Sequence, residues 1–119
     1  MIKVEAVVIR ERVETVIDAV EEATGHVGVT VIEAIGHGRQ RGVTHEYRGR
    51  TFESRFLPKA LLVFVVDDTR ADGVAEAIAD AARSGNACGD GIVWATSVGT
   101  VRHNRTGLPV EEVELDVAG

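Results

Sequence analysis

The hydrophobic pattern of this chain switches between a period of two and a period of 3.6 in the order strand, helix, strand, strand, helix, strand. That order leaves few folds open. IKVEAVVIR (2–10) alternates, then runs apolar, and its β-branched residues predict a strand with both faces partly covered. In RVETVIDAVEEAT (12–24), Val13, Val16, Ile17 and Val20 fall on one helical face and Glu14, Asp18 and Glu21 on the other. Gly25 stands where a helix C-terminal glycine belongs. GVTVIEAI (28–35) is a second strand, and the continuous apolar run ALLVFVVD (60–67) predicts a central one. Thr69 with Asp72 resembles a helix-start pair. A helix over about 70–84 follows, with Val74, Ala77, Ile78 and Ala81 inward and Gly85 closing it. IVWATSV (92–98) is the fourth strand, and VEEVELDV (110–117) reads as a fifth, peripheral strand or an oligomer contact.

Two β-α-β units in about 100 residues predict an α+β fold, the ferredoxin-like βαββαβ sandwich of four antiparallel strands with two helices on one face. At 119 residues the chain is expected to be a single domain, 1–119, with a core built from Val, Ala, Ile and Leu because aromatics are scarce. The single cysteine, Cys88, leaves no internal disulfide and suits a reducing cytoplasm. Charges interrupt the first apolar run, so it is expected to be neither a signal peptide nor a membrane span.

One segment breaks the pattern. GHGRQRGVTHEYRGRTFESRFLPK (36–59) shows no regular period and holds five Arg and one Lys against two Glu, in a chain of net charge −6. Connections in compact domains have a median of about 4–6 residues, and those beyond about 12–15 are usually functional or disordered. A connection this long and this basic calls for a ligand or a partner. The overall acidity argues against a partner bound through global positive charge, such as a nucleic acid.

The ordered set GHGRQRG, YRG, FLPK, AARSG, GDG and NRTG resembles the PII nitrogen-regulatory signal proteins over roughly residues 1–108. The resemblance implies a ferredoxin-like domain that assembles as a homotrimer, with adenine-nucleotide sites in the clefts between subunits. It also implies a long T-loop (about 37–58) that reaches a protein target such as a membrane transporter. The tail would span about 109–119. By resemblance, the nucleotide would meet Gly36, His37, Gly38 and Arg39 at one end of the loop and Lys59 at the other. Gly89, Asp90 and Gly91 would form a second turn, and His103 and Arg105 would come across the subunit boundary. Gln40 matches the position that helps hold Mg-ATP with 2-oxoglutarate, and Thr30 and Val65 match the adenine pocket. Arg41, Tyr47, Arg48, Arg50 and Phe52 fall on the target-binding part of the loop. The chemistry agrees: glycines let backbone N–H groups approach an anion, Arg offers a planar fork, and Lys a point charge. No tightly bound cofactor or metal is expected. The effectors would be ADP, AMP or ATP, with 2-oxoglutarate and Mg or with bicarbonate.

The sequence also departs from that pattern. Ile92 replaces the lysine of GDGK, and His103 replaces an arginine. A charge-assisted hydrogen bond to phosphate contributes about 1.5–3 kcal/mol, so losing two weakens triphosphate binding by roughly 10²–10⁴-fold unless Arg102 compensates. The turn holding Cys88 is one residue longer than usual. Phe52 and Arg50 stand where relatives carry modifiable hydroxyls, though Tyr47 and Ser54 remain. These changes point to a divergent member, with a sensor of ADP or AMP with bicarbonate, or of a cyclic nucleotide, linked to carbon uptake or carboxysomes rather than nitrogen, as the alternative.

Blander readings compete. Loop arginines are often ordinary solvated charge. His26, His37, His45 and His103 lack helical metal-ligand spacing. Cys88 reads as a small turn residue and Trp94 as core or interface packing. A phosphatase on this fold would need a nucleophile and a base beside the loop arginines, and none is evident. An RNA reader would need stacking aromatics that the strands lack. The chain is read as a regulator and not an enzyme.

Overall fold

The computed structural model describes residues 1–37, 44–47, 50–53, 56–83 and 90–110. Strand β1 (Ile2–Ile9) runs through a short 3-10 turn (Arg10–Arg12) into α1 (Val13–Thr24). Strand β2 (Thr30–Gly36) follows, then β3 (Thr44–Tyr47) and β4 (Arg50–Glu53), β5 (Leu57–Val66), α2 (Ala71–Ala82) and β6 (Ile92–Ser97). The main sheet has the order β2-β5-β1-β6, and every neighbouring pair is antiparallel. This is the ferredoxin-like α+β sandwich that the element order implies.

Strand period two divides the sheet into two faces. Val4, Ala6 and Val8 of β1 and Leu62, Phe64 and Val66 of β5 are buried toward the helices. There they meet Val16 and Val20 of α1 and Ala71, Val74, Ile78 and Ala82 of α2. α2 packs over β1 and β6, and α1 packs against α2. The inward helical faces agree with the periodicity, although Ala77 and Ala81 are only partly buried. Gly25 ends α1 at φ 84, its N–H donating to the Glu21 carbonyl at 2.9 Å.

Four sequence expectations shift. The second strand is Thr30–Gly36 and not 28–35. Strand β5 begins at Leu57 and not at residue 60, so the long connection ends at Phe56 and Leu57, Pro58 and Lys59 belong to the sheet. Pro58 made FLPK look like loop. It is tolerated because β1 pairs with β5 only as far as Lys59, leaving Pro58 paired with Ile35 of β2 alone. The connection also carries a β-hairpin, with Thr44 to Tyr47 paired to Glu53 to Arg50. Its sequence signal was Arg48–Gly49 between two four-residue runs rich in Thr, Tyr and Phe. Finally, Thr69 does not cap α2. Its hydroxyl donates to Asp67 at 2.6 Å, and α2 starts at Ala71 with Arg70 as its N-cap and no side-chain cap. Burial pushes the Asp67 carboxyl up, but hydrogen bonds from Thr69 and Arg70 and the Arg70 charge outweigh it and hold Asp67 below the usual carboxylate range. The expected Gly85 stop and the 110–117 strand lie outside the described residues, apart from Val110.

Candidate functional site

One end of the sheet collects the ends of β1 and β2 and the starts of β5 and β6. The register puts Gly36 beside Leu57, Lys59 beside Ile9, and Ile92 beside Val7. Gly36 is packed on the stem of Lys59, so that a Cβ there would lie 2.9 Å from Lys59 Cγ. Lys59 is 8 % exposed, which is unusual for a lysine and fixes its ammonium group at this end of the fold. His37 follows Gly36, and its ring lies 5.5 Å from that of Phe56, closing the base of the long connection. Sequence reading passed over Phe56, whose only signal was an aromatic next to a strand start.

On the other edge, Asp90 and Gly91 lead into β6. Gly91 has φ 94, and a Cβ on it would lie 1.8 Å from the carbonyl oxygen of Val7. Only glycine lets the chain approach β1 this closely. The result is a cleft of about 270 Å³ between the end of α2 and the first turn of β6. Its walls are apolar (Val7, Val8, Ile78, Ala82), with Arg83 and Asp90 among its lining residues. Ligand pockets typically span roughly 300–1,000 Å³, so the cleft lies near the small end of that range.

Thr30 and Val65 lie further along the sheet. Thr30 pairs with Val63 and Val65 with Lys3. By strand alternation Thr30, Gly36, Lys59 and Val65 share the face opposite the helices. Lys59 and Val65 are six residues apart on β5, about 20 Å at roughly 3.3 Å per residue. That is comparable with an extended nucleotide. The same face carries Ile32, Ile92 and Trp94, all exposed, with Ile92 at 68 %. Trp94 is therefore not a core residue but part of an uncovered apolar surface. Gly36 and Gly91 stand on opposite edges of the four-stranded sheet, about 14 Å apart laterally at roughly 4.8 Å per strand spacing.

The segment with His103 and Arg105 leaves the sheet at the end remote from Gly91, because β6 ends with Ser97 paired to Ile2. Residues 103–108 form a tight loop: the His103 N–H donates to the Leu108 carbonyl at 2.9 Å, and the Gly107 N–H to the His103 carbonyl at 2.8 Å. Arg105 is exposed in this loop. Arg102 donates to the Gly107 carbonyl at 2.9 Å and bridges to Pro109, so it braces its own loop.

The structure thus brings Gly36, His37 and Lys59 together, places Asp90 and Gly91 at the same end on the other edge, and separates Arg105 from both. Gly38, Arg39, Gln40, Arg41, Arg48 and Gly89 lie outside the described residues. Tyr47, Arg50 and Phe52 are placed by the backbone of the hairpin. Among the described residues, no group of three His, Cys, Asp or Glu side chains is arranged to hold a metal, and no helix is long and apolar enough to cross a membrane.

Comparison with known proteins gives a consistent result. A family model described as Nitrogen regulatory protein P-II matches residues 1–108. The chain is 40 % identical over 107 residues to Nitrogen regulatory protein P-II 2 of Methanothermobacter thermautotrophicus, covering 90 % of this chain and 91 % of the relative. It is 41 % identical to the P-II protein of Rhizobium meliloti and 42 % identical to that of Nostoc punctiforme, in each case covering 90 % of this chain and 94 % of the relative.

Proposed function

Because the chain belongs to the P-II nitrogen regulatory protein family, we propose that it is a homotrimeric signalling regulator that binds an adenine nucleotide between copies and controls a protein partner through the 37–56 connection. The observation that carries this reading is the division of the candidate site over one protomer. Gly36 ends one edge strand, β2, with Lys59 on β5 beside it; Asp90 and Gly91 lead into the other edge strand, β6; and Arg105 departs from the far end. A closed ring of copies sets one edge of each protomer against the next and covers the apolar face of Ile32, Ile92 and Trp94. Thr30 and Val65 then serve the purine. Gly36, Gly38, Arg39, Lys59 and the Gly89–Gly91 turn serve the phosphates, with His37 and His103 alongside and Arg105 supplied by the neighbour. Gln40 serves a second effector, 2-oxoglutarate with Mg. Arg41, Tyr47, Arg48, Arg50 and Phe52 face the partner, for which a transporter is a suitable class. The nucleotide acts by unequal affinity for two arrangements of the connection, with no chemistry of the protein's own.

A second reading concerns which effector is sensed. Ile92 presents an apolar side chain where the family pattern has a lysine, and Arg102 is occupied with the Gly107 carbonyl and does not replace it. Both features favour ADP or AMP, a cyclic nucleotide, or a nucleotide with bicarbonate over ATP, and a link to carbon rather than nitrogen supply. Calorimetric titration with ATP, ADP, AMP, cyclic AMP and bicarbonate separates the two. Tightest binding of ATP with 2-oxoglutarate and Mg supports the first, and a preference for less charged nucleotides supports the second. Absence of heat with every adenine nucleotide refutes both.

A further inference from the structure

We propose that Arg12 is a positioning residue for the cleft beside Asp90 and Gly91, holding the end of α2 that forms its opposite wall. This rests on the reading of that cleft as part of the nucleotide site. The last four carbonyls of an α-helix have no partner within the helix, and a cation is favoured at that end. The last turn of α2 contains no basic residue. Arg12 supplies one from another element. Its Nε donates to the Ala81 carbonyl at 3.1 Å and its Nη2 donates to the same oxygen, across 69 residues of sequence. The guanidinium is partly buried there, so the fork geometry is held.

Ala82 and Arg83, the next two residues, line the cleft together with Asp90, Gly91 and Ile92. Gly91 runs so close to the Val7 carbonyl of β1 that a Cβ would not fit. One wall of the cleft, the end of α2, is held by Arg12 and the other, at Gly91, abuts β1, so both walls meet one strand and the 3-10 turn that ends it. Arg10, in the same turn, donates to the Ala34 carbonyl at 3.2 Å, two residues before Gly36. A single three-residue turn therefore ties the end of α2 and the end of β2 to the same point. Moving Ala81 outward would widen the cleft and carry Ala82 and Arg83 away from Asp90.

The test uses the full chain and ADP as the probe. Wild type, Arg12→Met, Arg12→Lys and the core variant Val16→Ala are titrated calorimetrically, and their thermal midpoints are measured without ligand. Arg12→Met is expected to weaken ADP binding about tenfold, a change of about 1.4 kcal/mol. Arg12→Lys keeps the charge without the fork and falls between wild type and Arg12→Met. Val16→Ala lowers the midpoint at least as much yet leaves ADP affinity within about twofold, as expected for a cavity remote from the cleft. Amide exchange of residues 79–83 in the ligand-free chain rises in Arg12→Met and not in Val16→Ala. Unchanged ADP affinity in Arg12→Met, or equal loss in Arg12→Met and Val16→Ala, overturns the role of Arg12 and leaves the nucleotide site standing. A wild-type chain that takes up no ADP overturns the site itself, and the role of Arg12 falls with it.

Discussion

Replacing Gly91 by alanine separates two costs that are usually confounded. At φ 94 an L-residue carries a conformational penalty of roughly 1–2 kcal/mol. The added Cβ would also lie 1.8 Å from the Val7 carbonyl oxygen, a backbone atom with no flexible end to swing aside. Relieving that contact means displacing the start of β6 by more than an ångström. That sacrifices the Val7–Ile92 pairing at about 0.5–1.5 kcal/mol per hydrogen bond. With one or two hydrogen bonds lost, the effects total about 1.5–5 kcal/mol, reaching the upper end for a single substitution. Gly107 provides the control: its φ is 73, but nothing lies within 4 Å of its Cβ position, so Gly107→Ala costs about 1–2 kcal/mol. Urea unfolding at fixed protein concentration, followed by the fluorescence of the single Trp94 three residues beyond Gly91, reads both variants. Gly91→Ala is expected to unfold at clearly lower urea than Gly107→Ala. Equal midpoints would show that the approach of Gly91 to β1 contributes nothing and that only backbone conformation matters.

Other substitutions probe the site and its assembly. Ile92→Lys restores a cation at the edge of the Gly-rich turn and should tighten ATP relative to AMP by about tenfold or more, read by calorimetry; an unchanged ratio argues against phosphates near Ile92. Trp94→Ser removes an aromatic from the uncovered sheet face and should shift light-scattering mass toward smaller species at micromolar concentration, whereas unchanged assembly places the interface elsewhere. Because the folded Asp67 carboxyl titrates below its ordinary value, its contribution is present above pH about 4 and disappears as pH falls through the folded pKa. Asp67→Asn should therefore cost about 1 kcal/mol in denaturant at pH 7 and progressively less as pH falls below about 4, and a pH-independent cost would rule out this ionic role.

Elements that repeat a hydrophobic period were legible in the sequence, because burial of one face is what the period encodes. Strand β1, α1 and α2 show it, while the body of β5 and β6 were legible as short apolar runs. The hairpin β3–β4 was hidden because its short runs carry charges, and the start of β5 because a proline normally ends a strand. Pro58 escapes that rule only through the length of β1, a fact of register that no local window contains. At the site, the family pattern pointed to Gly36, Lys59 and Gly91, and the structure gives two of them a physical reason: Gly36 accommodates the stem of Lys59, and Gly91 the carbonyl of Val7. Arg12 was invisible by comparison. An arginine at a strand–helix junction looks like ordinary surface charge until its partner, 69 residues away, is known.

The central claim is that no single copy of this chain holds the whole nucleotide site. Native mass spectrometry of the full chain with added ADP tests it most directly. A three-copy species that takes up as many as three nucleotides is expected, with no ADP retained by single copies. ADP held stoichiometrically by a single copy, or three-copy particles that never take it up, would contradict it.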